Sequence, residues 1–459
     1  MLKSYKSLPS ALVADYIVRP AESFFRKEAS SSVLLLLASF MAVALANSAI
    51  APFYHDLLHT HFTLELGEYQ IIKSLHHWIN DGLMTYFIFI VGLEIKREIL
   101  VGELSTPKSA LLPVVAALGG MLVPGAIYFA LNRGTPTAGG WGIPMATDIA
   151  FALGAIAVFG RKLPVGLRIF LSAFAIADDL GAVLIIAVFY TKEIVWSYLI
   201  ICLFFVAGLA VANLLWIRWA LLYALLGLGI WVAVLGSGVH PTVAGFVVAM
   251  FIPAKGKYDT DIFVKKVKEI MDEFQCEEQS CGYSILLDRG HLNAVHSLEV
   301  ACHEVETPLQ RLEHSLHPWI AFVLLPLFAF ANAGLSLKGI DLASIVHQPL
   351  TLGITLGLFL GKPIGIAIFS FLAVKTGIAV LPVEVRRSHI IGAGMLGGIG
   401  FTMSLFVSGL SFASPELLNY AKLGILLGSI LAAVAGIVFL ACECAFLGKG
   451  KESTPFQVS

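Results

Sequence analysis

The sequence predicts an all-α membrane protein with about twelve transmembrane helices. Three observations carry that expectation. Apolar stretches of helical length recur along the chain, basic residues gather on one side of them, and two stretches are broken by glycine and proline. Composition agrees, because 58% of the 459 residues are hydrophobic and 13% charged, with mean hydropathy +0.85, where a soluble domain carries about 25% charge. A formal net charge of -1 offers no basic surface for nucleic acid, so the partner is the lipid bilayer. The six cysteines, Cys202, Cys276, Cys281, Cys302, Cys442 and Cys444, do not form a secreted disulfide pattern.

A helix needs about 20 residues to cross the hydrocarbon core. Twelve stretches qualify, at 33–51, 77–95, 111–131, 138–159, 165–190, 195–215, 219–235, 239–253, 316–337, 350–374, 388–411 and 420–447. The first of these, Val33 to Ala46 followed by Asn47-Ser48-Ala49, has the outline of a signal peptide. Its 32-residue leader is too long for one, so it reads as a membrane helix. Asp81 opens the second stretch and is placed to cap its first turn. The seventh and eighth are short, and could be one span. With the N-terminus inside, 24 of the 30 Lys and Arg fall on the cytoplasmic side, 5 outside and one, Lys362, within a span. Cytoplasmic loops are enriched in these residues, so both termini are expected in the cytoplasm. The resulting organisation is a cytoplasmic segment 1–32, spans one to eight over 33–253, a cytoplasmic insert loop 254–315, spans nine to twelve over 316–447 and a tail 448–459.

The fourth stretch contains Gly139-Gly140-Trp141-Gly142-Ile143-Pro144, and the eleventh Gly392-Ala393-Gly394-Met395-Leu396-Gly397-Gly398-Ile399-Gly400. Glycine weakens a helix and proline removes a donor, so each is a candidate for an unwound middle. Unwound backbone at membrane depth survives only where it is buried in protein or lines a cavity. A pair of interrupted spans in corresponding positions of two repeats, here spans three to five and ten to twelve, marks an ion site. Close helix packing is the plainer reading of such glycines, but the symmetric placement favours the site.

Adjacent Asp178 and Asp179 lie in the middle of the fifth stretch, with nine uncharged residues before them and eleven after. Each acid costs about 2.5–3.5 kcal/mol at the bilayer centre, which makes little sense as scaffolding. Asp148 on the fourth stretch and Lys362 on the tenth complete the intramembrane charges. A buried lysine needs a carboxylate partner or must lose its proton. Neighbouring helical positions point about 100° apart, so one aspartate can face an ion path while the other faces Lys362. Carboxylates and freed carbonyls near Thr147 would suit a hard cation such as Na⁺. No Cys/His cluster lies within the spans to hold a transition metal, and no cofactor is expected.

Several stretches then resemble one family closely. They are Asn80-Asp81-Gly82-Leu83-Met84, Val91-Gly92-Leu93-Glu94-Ile95-Lys96-Arg97-Glu98, Pro144-Met145-Ala146-Thr147-Asp148-Ile149-Ala150-Phe151 and Ala177-Asp178-Asp179-Leu180-Gly181-Ala182. Ser237-Gly238-Val239-His240, Leu312-Glu313-His314-Ser315-Leu316-His317-Pro318-Trp319, Gly361-Lys362-Pro363 and Gly398-Ile399-Gly400-Phe401-Thr402-Met403-Ser404 follow in order. The chain resembles the bacterial NhaA-type Na⁺/H⁺ antiporters. The resemblance implies two crossed, broken helices and a cytoplasm-facing funnel in the bacterial inner membrane. It implies electrogenic, pH-regulated exchange of cytoplasmic Na⁺ or Li⁺ for external H⁺. Asp178 and Asp179 would bind ion and protons, with Lys362, Asp148 and Thr147 close by. Glu94, Arg97, Glu98, Glu313, His314 and His317 fall where the family has a cytoplasmic pH-responsive cluster, and His240 at another position linked to pH response. The hairpin-like outer segment from Ala51 to Trp78 resembles the family's homodimer contact.

Read without the family, Glu94 to Glu98 is a solvated i,i+4 charge face, and His240 an interfacial histidine beside Pro241. The polar loop from about Ala254 to Arg311 is much longer than the family pattern. Its Cys276, Cys281, Cys302 and His303 fit no standard zinc spacing, so a partly helical cytoplasmic insert is expected. An intramembrane aspartyl protease would need its two acids on separate helices, which adjacent Asp178 and Asp179 are not, so no enzyme is expected. A Na⁺-coupled symporter of an organic solute shares the broken-helix pattern but needs a roomier polar pocket.

Overall fold

A computed structural model describes residues 28–66, 69–191, 193–256, 260–273, 289–336 and 345–451. The chain opens with α1 (Glu28–Asn47) and α2 (Ala51–His59), then an antiparallel hairpin of β1 (His61–Leu66) and β2 (Tyr69–Ser74) in which His61 faces Ser74. A short α3 (Leu75–Trp78) runs through a π-helical turn, Ile79–Leu83, into α4 (Met84–Val101). There follow α5 (Pro107–Asn132), a 3₁₀ segment Ala138–Met145, α6 (Ile149–Ala157), α7 (Val165–Phe189), α8 (Trp196–Leu214), α9 (Ala220–Ser237) and α10 (Thr242–Phe251). The insert holds α11 (Thr260–Glu273) and α12 (Arg289–Val305). The last part contains α13 (Pro308–Trp319), a π turn Ile320–Leu324, α14 (Leu325–Asn332), α15 (Pro349–Leu356), a π turn Gly357–Gly361 and α16 (Lys362–Lys375). It ends with α17 (Arg387–Gly397), α18 (Phe401–Ser411) and α19 (Pro415–Lys451).

Among the described residues the molecule is all-α apart from one hairpin. Among the described residues nine helical segments are long and apolar enough to cross a membrane, and α17 with α18, bent by 47°, makes a tenth. Two of the twelve expected stretches fail that test. Around 77–95 the helix α4 carries Glu94, Lys96, Arg97 and Glu98, and around 239–253 only the ten residues of α10 are helical. These two pack on each other without intervening side chains, because a Cβ on Gly245 would stand 2.2 Å from Thr85 O.

Local chemistry sets the helix ends. Thr106 accepts from Ser109 N ahead of Pro107, and Thr307 accepts from Gln310 N ahead of Pro308, both proline-led N-termini with a hydroxyl cap. Asp81 does not cap the second stretch as its position suggested. It lies inside the π turn, and its carboxylate pairs with Lys73 of β2 at 2.5 Å. The insert is partly helical, with Phe263, Ile270, Ala294, Leu298 and Ala301 packed between α11 and α12. Cys276 and Cys281 lie outside the described residues.

One packing contact positions the site. A Cβ on Gly119 would lie 2.3 Å from Gly365 O, and one on Gly365 would lie 2.1 Å from Gly119 O. Backbone therefore meets backbone where α5 crosses α16, a small-residue contact of the kind membrane helices use in place of a hydrophobic drive. It fixes α16, and Lys362 at its first turn, against the middle of the molecule.

Candidate functional site

The two interrupted spans meet at their breaks. On the first, the 3₁₀ segment ends at Met145 and the backbone is extended at Ala146 and Asp148 before α6 begins. On the second, α17 ends at Gly397 and α18 begins at Phe401. Hydrogen bonds stitch the breaks together. Asp148 N donates to Ile399 O at 2.6 Å, Thr147 Oγ1 to Gly397 O at 2.9 Å, Ser404 Oγ to Ile143 O at 2.8 Å and Thr402 N to Asp148 Oδ2 at 3.0 Å. The glycines permit this approach, since a Cβ on Gly400 would stand 2.9 Å from Ala146 O and 2.8 Å from the Leu358 side chain.

Asp148 serves both half-helices. Its Oδ1 accepts from Phe151 N at 3.2 Å in the first turn of α6, and its Oδ2 accepts from Thr402 N and from Thr402 Oγ1 at 2.5 Å in the first turn of α18. Each helix N-terminus carries roughly half a positive charge, so one carboxylate opposes two dipoles. Asp148 is 2% exposed. Its oxygens are therefore spent on holding the crossing in place.

The free charge lies on α7. Asp178 and Asp179 are each 1% exposed, and Lys362 and Thr147 are fully buried. Lys362 Nζ donates to Asp178 Oδ2 and to Thr147 Oγ1, both at 2.7 Å, and sits 5.6 Å from the centre of the Phe174 ring. Of the adjacent acids, Asp178 is the one turned to the lysine. Asp178 Oδ1 and Asp179 Oδ2 are buried and have no hydrogen-bond partner. Buried polar atoms are nearly always satisfied, so these two neighbouring carboxylate oxygens are free acceptors that a cation or a proton could satisfy.

A second cluster begins one helix away. Glu94 on α4 interacts electrostatically with Asp179 on one side and with Arg97 on the other. Arg97 pairs with Glu313 at 2.5 Å and with Glu98 at 2.9 Å, and His317 lies within electrostatic reach of Glu313. The structure thus gathers Glu94, Arg97, Glu98, Glu313 and His317. His314 is exposed on α13. His240 is elsewhere: its Nδ1 meets Thr242 Oγ1 at 2.8 Å, and its ring packs edge-on against Phe406 of α18 at 5.5 Å.

The Na⁺/H⁺ antiporter 1 family matches residues 22–440. The chain belongs to that family. It is 48% identical to a Na⁺/H⁺ antiporter NhaA 1 of Saccharophagus degradans, over 92% of this chain and 91% of that protein. It is 45% identical to the Na⁺/H⁺ antiporter NhaA of Oleidesulfovibrio alaskensis over 93% and 94% of the two chains. Against that of Koribacter versatilis it is 45% identical over 94% and 93%. With its apolar helices, this makes the chain a multi-pass membrane protein of an antiporter family.

Two side chains that bond at the breaks escaped the sequence. Thr402 lies two residues after Gly400, and a hydroxyl at the start of a half-helix was a signal that could have been used. Ser429 Oγ accepts from Gly400 N and Phe401 N, both at 3.3 Å. It is a lone serine in the apolar α19, and nothing in its neighbourhood distinguishes it.

Proposed function

We propose that the antiporter expels cytoplasmic Na⁺ or Li⁺ across the bacterial cytoplasmic membrane in exchange for external protons, both bound in turn at Asp178 and Asp179. One observation carries the reading: two adjacent, buried carboxylates with an unpartnered oxygen on each. Protonated carboxylates cannot hold Na⁺, so the ions compete for the same oxygens, and alternating access turns competition into exchange. Na⁺ at Asp178 also displaces the ammonium of Lys362, which retains Thr147 as its other partner. If both acids must be ionised to bind, more than one proton enters per Na⁺ expelled. Transport is then electrogenic, and the membrane potential contributes about 2.3 kcal/mol per charge per 100 mV.

The cluster of Glu94, Arg97, Glu98, Glu313 and His317 tunes the pH at which exchange begins, through the charge Glu94 presents to Asp179. His314 extends that cytoplasmic patch, and His240 acts from the opposite end through Phe406. Both termini and the insert are cytoplasmic by the distribution of Lys and Arg. The homodimer contact is assigned to the outer segment from Ala51 to Trp78, whose hairpin is a two-stranded sheet that a second copy could extend.

Purified protein in liposomes containing a pH-sensitive dye tests this directly. Adding Na⁺ outside should drive proton movement in the opposite direction. On the acid side, apparent Na⁺ affinity should weaken about tenfold per pH unit for each proton displaced, roughly 1.4 kcal/mol. A rate at low pH that saturating Na⁺ fails to restore would exclude simple competition and require a separate gate.

A further inference from the structure

We propose that Ser429 is a positioning residue for the ion site, acting through the second break; the inference rests on the exchange reading above. Backbone N–H groups around the second break find acceptors outside the regular helix. Gly398 N donates to Met395 O and Ile399 N to Leu396 O, closing the end of α17. Thr402 N donates to Asp148, and Ser404 N to Gly400 O. Gly400 N and Phe401 N both donate to Ser429 Oγ. These two begin a half-helix, where N–H groups have no partner within the helix, and at membrane depth no water replaces one. Ser429, 5% exposed, is what makes the unwound turn tenable.

Its own helix is held to the same centre. A Cβ on Gly428 would lie 3.1 Å from the Leu358 side chain and 3.2 Å from Thr355 Cα, so α19 rests directly on the span that carries Lys362. A Cβ on Gly398 would lie 2.4 Å from Leu358 O and 3.0 Å from Ala432 of α19. The break is therefore clamped between α19, the π turn before Lys362 and the first broken span. The choice of serine follows from charge. A carboxylate at 429 would add a second anion to the N-terminus of α18 and compete with Asp148 for it. A hydroxyl satisfies the donors and leaves Asp148 as the only acid described at that dipole. Gly397 O, which accepts from Thr147, and Thr402, which donates to Asp148, are within three residues of the atoms Ser429 holds. Removing the hydroxyl frees the break to shift, and with it Gly397 and Thr402, which set Thr147, a partner of Lys362, and Asp148.

The test is the Na⁺ dependence of exchange in liposomes for Ser429→Ala, Ser429→Cys and the parent, with thermal unfolding measured on each. Supporting groups around an ion typically contribute 10–100-fold to its affinity, so Ser429→Ala should raise the apparent KM for Na⁺ by about tenfold or more. Its maximal rate should change less. Ser429→Cys, a weaker acceptor of similar size, should fall between and guards against an alanine variant that fails to fold. Folded variants with parental KM and parental pH profile would overturn the proposal. So would variants whose loss of rate follows their loss of thermal stability with KM unchanged, since that is a purely structural role. Absence of exchange in the parent would instead overturn the functional reading itself.

Discussion

Lys362–Asp178 and Lys73–Asp81 are the same chemical pair at nearly the same length, 2.7 and 2.5 Å. Their surroundings differ. The first has side chains 0% and 1% exposed, the second 28% and 17%. In the outer pair, water screens the attraction and supplies alternative partners, so little is gained by its formation. In the inner pair neither ion has another solvent, and separation leaves a bare charge in a low dielectric. Burial rather than geometry separates the two: parting the inner pair leaves bare charges unless a cation or a proton neutralises Asp178 and the lysine gives up its own.

The largest effect should come from the acid beside that pair. Asp179→Asn keeps the shape and removes the charge, so exchange should fall by about 100-fold while membrane insertion improves. Normal Na⁺-driven proton movement by a well-expressed variant would sink the mechanism. Next is Lys362→Ala, which strands Asp178 and should cost about 3–5 kcal/mol of stability, read as a lower unfolding temperature in detergent. If the lysine only pairs, partial exchange survives and Asp178→Asn in the same chain restores stability. If it carries a transported proton, the current disappears with it.

The pairing of Arg97 with Glu313 and Glu98 is intermediate. Arg97→Ala should destabilise by about 1 kcal/mol, because the arginine is 34% exposed, and should shift the pH of half-maximal exchange without abolishing it. Lys73→Ala is predicted to cost under about 1 kcal/mol and to leave exchange untouched; a large loss would refute the comparison. A signal confined to acid pH belongs to His76, which meets Asn332 at 3.1 Å. Burial, with Lys422 nearby, pushes its imidazole from 6.5 down to about 4. The unfolded chain therefore takes up the proton first, so this contribution is complete above about pH 6.5 and declines as pH falls toward 4. His76→Gln should flatten that acid limb in a thermal melt.

What was legible in the sequence shares one property: it violates the bilayer's rules. Asp178, Asp179, Asp148 and Lys362 are expensive there, and Gly397, Gly398 and Gly400 are poor helix formers, so each called for a reason. Features that obey those rules were silent. Ser429 is an ordinary small polar residue in an apolar helix, and only the fold brings it to Gly400 and Phe401 across a sequence separation of 29 and 28. Asp81 misled because a helix-opening aspartate is most simply a cap, and the partner that claims it arrives from the hairpin. The count of spans blurred where α4 carries its charges and α10 is short, since hydropathy measures lipid exposure and these two helices lean on each other. The hairpin between α2 and α3 was visible, its pairing register was not.

The π turn Gly357–Gly361 stands immediately before Lys362. Such a turn is an α-helix with one residue too many, and each residue in an α-helix advances the side chains by about 100°. Deleting a single residue there would relax the turn into regular helix, leave the apolar span intact and swing the ammonium away from Asp178. The alignment of charge in this core is thus encoded in chain length as well as in residue identity. A descendant that lost one glycine could keep every acid and base of the site, still fold into the membrane, and be electrically miswired.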